Sequence, residues 1–84
     1  MDLHDRERCY AELVNLLRDF IETEKVLNPD TKLVDDLGLE SIQIMQLVAE
    51  IEDVFDISIS LTGLADVRTL SDLTDFVMRS GAMP

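Results

Sequence analysis

Ser41 stands in the stretch DDLGLESIQIMQLVAEIEDVF (residues 35–55), where a polar loop turns into an apolar helix. A serine hydroxyl attacks as a nucleophile only with a general base in hydrogen-bond reach, usually a histidine. The sole histidine is His4, in a terminus expected to fray, and no glycine-rich nucleophile elbow surrounds Ser41. Catalysis by Ser41 is therefore not expected, and no catalytic residue is assigned. Cys9, the lone cysteine, reads as a small apolar residue of the first helix. No metal site is expected, because His and Cys do not cluster. Counted from Asp30, a calcium loop would place Lys32 and Val34 at oxygen-ligand positions and lacks its glycine. Two roles remain for Ser41. As an N-cap it would satisfy an orphan amide at the helix start. As a displayed hydroxyl it would be modified by another enzyme. A helix N-terminus carries unpaired amides and partial positive charge, so a phosphate attached there is favoured. The two roles are compatible.

The elements that must hold this serine can be read from spacing. Tyr10, Leu13, Val14, Leu17, Phe20 and Ile21 form one face of a helix over roughly Asp5 to Glu22. Pro29 stops it, and LNPDTKLVDDLGLE follows as a connection unusually long for so small a chain. Leu27, Leu33, Val34, Leu37 and Leu39 are expected to pin that connection to the core. Gly38 supplies freedom for a tight turn before the second helix, which runs from Ser41 to Val54 or Phe55. DISISLTGLADVRT is too rich in β-branched residues for a long helix and reads as a loop with a short helical turn near Leu61–Asp66. Thr69 and Asp72 form an N-cap pair for a last helix to about Ser80, burying Leu70, Leu73, Phe76 and Val77, with Gly81 ending it. The expected fold class is all-α: a small four-helix bundle of three longer helices and a short third one, with a long loop between helices 1 and 2.

The second helix has two apolar faces. Ile44, Leu47, Val48, Ile51 and Phe55 make a core stripe, and Ile42, Met45 and Ala49 fall on a different face. A helix buried all round would need both, yet 84 residues cannot surround every element. The surplus strip, flanked by Gln46, Glu52 and Asp53, reads as a contact surface for partner proteins. Charge gathers there too. Net charge is −11, and from Leu33 to Val67 eight acids meet no Lys or Arg. Such a field repels nucleic acid and anionic membrane and steers basic partners.

The length bounds the chain to one domain, residues 1–84. With 46% hydrophobic residues it is globular, and its apolar runs are far too short to span a membrane. MDLHDRERC is charged from its second residue, unlike a signal peptide, and one cysteine fits a reducing cytoplasm.

DDLGLESIQIMQLVAEIEDVFDISIS resembles the core motif of acyl carrier proteins, D-x-x-G-x-D-S-[LI] followed by an acidic, aliphatic helix, a phenylalanine and a β-branched tail. The likeness extends over essentially the whole chain, including the proline-bearing first loop and the VRTLSDLTDFV close. It implies a four-helix carrier domain that is not an enzyme. It implies that Ser41 receives 4′-phosphopantetheine covalently from coenzyme A, through a phosphopantetheinyl transferase. The arm's thiol then holds an acyl or aminoacyl group as a thioester. Residues matching the family's partner-facing positions are Glu40, beside the serine, and Ile42, Met45, Ala49, Glu52 and Asp53. The implied partners are the transferase, acyl-activating or acyl-transfer enzymes, and synthases with basic docking surfaces; the carrier is expected to be monomeric. Glu40 stands where the family most often has Asp, Gln43 and Gln46 where fatty-acid carriers show acids, and Ser60 where proline is frequent. These departures imply a specialised carrier of a lipid or polyketide-type pathway. The alternatives are a peptidyl carrier, which GLES and the acidity disfavour, and an unmodified, carrier-like interaction subunit.

Overall fold

The computed structural model describes residues 3–21 and 25–80. Four helices follow one another: α1 (Leu3–Ile21), α2 (Ser41–Phe55), α3 (Leu61–Leu64) and α4 (Leu70–Arg79). The all-α architecture with a short third helix is the one expected from spacing. α1 begins two residues earlier than the spacing indicated, so His4 is helical. The expected ends at Glu22 and Gly81 lie outside the described residues.

Cys9, Leu13 and Leu17, one turn apart on α1, are fully buried, while Tyr10, Val14, Phe20 and Ile21 are half-buried around them. They meet Leu47 and Ile51 of α2 and Leu70, Leu73 and Val77 of α4 in one cluster. Thr74, buried among the apolar residues of α4, turns its hydroxyl back to the Leu70 carbonyl at 2.8 Å. Met78 is buried as well, although the α4 spacing did not single it out. At the polar edge, Arg6 ties α1 to α4, its Nε donating to Asp75 Oδ1 and its guanidinium also to Ser71 Oγ, both at 3.0 Å. α3 comes so close to α4 that a Cβ on Gly63 would lie 2.8 Å from the Phe76 ring.

The connection from Lys25 to Glu40 is a built element. Leu27, Leu33 and Leu39 are buried and Leu37 half-buried, as expected. Val34 is not: it is 55% exposed, because the turn that buries Leu33 points its neighbour outward. Lys32 bridges antiparallel to Thr69, and Leu33 N donates to Arg68 O at 2.9 Å. Leu70 N reaches Thr31 O and Ser71 N reaches Pro29 O, at 3.0 and 2.9 Å. The loop thereby satisfies two of the amides that every helix start leaves unpaired. The third is satisfied locally: Asp72 N donates to Thr69 Oγ1 at 3.1 Å.

In return the Asp72 carboxylate accepts from the amides of Arg68 and Thr69, at 3.1 and 3.2 Å. Those backbone donors, Arg68 first, hold its pKa below the ordinary 3.8. The carboxylate therefore stabilises the fold fully above its unfolded-state pKa, and this is lost as pH falls through the lower folded value. Melting temperature should drop as pH falls below about 4, and Asp72→Asn should flatten that dependence while lowering stability at neutral pH. Thermal melts of both proteins across that range check this.

Candidate functional site

Two turns of chain position Ser41. Asp36 N and Leu37 N both donate to Lys32 O, and Gly38 N donates to Val34 O at 2.8 Å. Gly38 has φ +67, the left-handed conformation that a side chain resists. Leu39 N then reaches Leu33 O at 3.2 Å, buries its side chain and delivers the chain to Glu40.

Glu40, not Ser41, is the N-cap of α2. It is extended, with φ −89 and ψ 164, and its amide donates to Gln43 Oε1 at 2.9 Å, one half of a capping box. Ser41 is thus the first helical residue. This corrects the capping role considered for it, and the reason is local: the extended backbone ends at Glu40, one residue early. The consequence is chemical. The Ser41 side chain is exposed, and its hydroxyl has no hydrogen-bond partner among the described residues. The amides of Ser41 and Ile42 also lack partners there, as the first amides of a helix do.

Ile42 is 63% and Met45 56% exposed, and Ala49 is exposed beside them, while Leu47, Val48 and Ile51 are buried and Ile44 and Phe55 half-buried. α2 is therefore two-faced as its spacing indicated. Glu40 and Asp53 are exposed along the strip. Glu52 is half-buried, and its Oε2 accepts from Ile59 N at 2.9 Å. That bond fastens the segment between α2 and α3, so Glu52 serves the fold as well as bordering the strip. Asp56 closes α2 at φ 54, with Ile57 N returning to Glu52 O. Two side-chain roles escaped the spacing: the Gln43 return bond and the Glu52 tether. A Glu or Gln three residues after a cap position is the signal for the first.

Cys9 offers no competing chemistry. Burial pushes its thiol up to about 11, against a smaller opposing pull from Arg6, so it stays protonated at neutral pH. No helix among the described residues is long and apolar enough to cross a membrane.

Ser41 thus stands without a partner at the start of α2, beside an exposed apolar strip. Comparison with known proteins gives the family. The model of the phosphopantetheine attachment site matches residues 11–77. The acyl carrier protein of Coprothermobacter proteolyticus is 31% identical over 74 residues, covering 87% of this chain and 90% of that protein. That of Syntrophus aciditrophicus is 30% identical over 67 residues, 79% and 84% of the two chains. A solved structure of a proposed acyl carrier protein from Mycobacterium tuberculosis superimposes with TM-score 0.79 at 30% identity, covering 84% of this chain and 96% of that one. The chain belongs to the acyl carrier protein family. Its members are carriers rather than enzymes, and their prosthetic group is covalent 4′-phosphopantetheine.

The two faces of α2 predict opposite results for one kind of substitution. Met45→Glu should change stability by no more than about 0.5 kcal/mol, as at other surface positions. Val48→Glu buries an unpaired carboxylate and should unfold the protein. Circular dichroism melts of the two variants side by side make the comparison.

Proposed function

We propose that Ser41 is the attachment point for 4′-phosphopantetheine and that residues 1–84 form one carrier domain. The observation carrying this reading is the exposed, partnerless Ser41 hydroxyl at the first position of α2, inside the matched segment 11–77. The residues present fit the group. In the transferase reaction the Ser41 oxygen forms a new P–O bond to the pantetheine-bearing phosphorus of coenzyme A. The bond to the adenosine bisphosphate leaving group breaks, and the serine proton passes to a base on the transferase. The resulting phosphodiester keeps one negative charge, and the unpaired amides of Ser41 and Ile42 stabilise it together with the helix dipole. When bound, the arm supplies a terminal thiol that holds an acyl group as a thioester.

The chain's own contribution is address and presentation. Ile42, Met45 and Ala49 give a partner an apolar seat, and Glu40, Glu52 and Asp53 set the charge around it. A basic docking surface on a transferase, an acyl-activating or acyl-transfer enzyme, or a synthase complements this face. Gln43 and Gln46, neutral where fatty-acid carriers show acids, make the address narrower and support a carrier dedicated to a specialised lipid or polyketide-type pathway. The lone cysteine suits a reducing cytoplasm.

Incubation with coenzyme A, magnesium and a broad-specificity transferase should add the mass of one arm to the intact chain. Ser41→Ala should add none, yet melt within about 0.5 kcal/mol of the parent, because no bond of the hydroxyl is lost and alanine suits a helix. An arm on Ser41→Ala, or no arm on the parent, would overturn the assignment. Met45→Glu should take up the arm several-fold more slowly while remaining folded, since it sets a charge within an apolar contact.

A further inference from the structure

Lys32 and Arg68 bound the base-free acidic segment, one immediately before it and one immediately after. Far apart in sequence, they are brought together by backbone pairing: Lys32 bridges to Thr69, and Leu33 N donates to Arg68 O at 2.9 Å. Both side chains are exposed, and neither forms a hydrogen bond or ion pair among the described residues. With Val34, Ala65, Val67 and Asp35 they line an open groove between the first loop and the α3–α4 corner. The groove thus has two cations against one acid over an aliphatic floor, on a chain of net charge −11. Two further acids lie at its rim with their carboxylates bonded to backbone: Asp72 accepts from the amides of Arg68 and Thr69, and Asp36 Oδ2 accepts from the amide of Lys32 at 2.8 Å.

We propose that this groove binds the free carboxylate of an acyl cargo tethered at Ser41, that is, a carboxyacyl thioester. The proposal rests on the attachment reading given above. An anion free in solution is repelled by the overall charge, and two exposed cations hold it weakly. A tethered anion arrives at the millimolar effective concentrations typical of short flexible links, which offsets that weakness. The tether is close: Leu39 N is bonded to Leu33 O, the residue paired with Arg68, and Ser41 lies two residues beyond Leu39, at most about 8 Å along the chain. Val34, 55% exposed on the groove, gives the methylenes of the cargo a seat. The phosphate of the arm does not compete for the groove, because it stays at the amides of Ser41 and Ile42.

The test loads nitrogen-15-labelled protein from glutaryl-coenzyme A or from pentanoyl-coenzyme A, equal in chain length but ending in carboxylate or methyl. Intact mass first shows whether Ser41 is loaded. The glutaryl form should shift the amide resonances of Lys32, Val34, Val67 and Arg68 relative to the pentanoyl form, and added salt should shrink the difference. Lys32→Gln and Arg68→Gln should each lower the docked fraction by about 1.5- to fivefold, the worth of one exposed charge pair, with melting temperature unchanged. Equal shifts from both cargoes would overturn the groove assignment while leaving the carrier reading intact. Free glutarate moving the same amides on the arm-free chain as strongly as tethered glutaryl does would overturn the cargo assignment in favour of a general anion site. A chain that takes no arm overturns the carrier reading, and this inference with it.

Discussion

The fold depends on the pairing of the first loop with the start of α4. A helix start leaves its first amides without partners, and here Thr31 and Pro29 carbonyls take two of them while Leu33 binds the Arg68 carbonyl. These bonds tie the loop to α4 across the chain, with a single bridge, Lys32 to Thr69. From that anchor the buried Leu33 and Leu39 carry the chain to Glu40. Ser41 is therefore positioned by α4 through the loop, and not by α2 alone.

The same economy explains α2. Three longer helices around one small core can bury one stripe of each, so any apolar residue off the stripe must face solvent or a partner. Ile42, Met45 and Ala49 are in that position, and leaving them exposed costs solubility. The acids around them offset this by keeping the surface charged. Glu52 shows that the acids are not all spent on the surface, since its carboxylate also holds the Ile59 amide and with it the approach to α3.

Much of this was legible in the sequence. Periodicity alone located the core faces of α1, α2 and α4, because apolar burial at helical spacing is a local pattern repeated several times. Thr69 with Asp72 was legible for the same reason: both halves of the cap lie within four residues. The surplus face of α2 followed from counting how much surface so short a chain can hide. What spacing could not show was set by pairing across long separations or by single dihedral angles. Val34 appeared as one more apolar residue of the loop, and only the turn from Lys32 to Gly38 decides that it faces outward. The neighbourhood of Lys32 and Arg68 depends on a contact that no local pattern announces.

The cap at Glu40 is the subtlest of these cases. Serine is a strong N-cap and glutamate a weak one, so residue preference alone places the cap at Ser41. A serine engaged in capping, however, has its oxygen occupied by an amide. Moving the cap back to Glu40 leaves the Ser41 oxygen free. Glutamate then needs help, and Gln43 provides it by accepting from the Glu40 amide at 2.9 Å. An acid at residue 43 could accept the same bond, but it would set a second carboxylate one turn from Glu40, with no Lys or Arg on α2 to compensate. Neutral Gln43 avoids that repulsion. Glu40 and Gln43 are best understood as one arrangement, in which the weaker cap is reinforced and the serine hydroxyl is left unbonded.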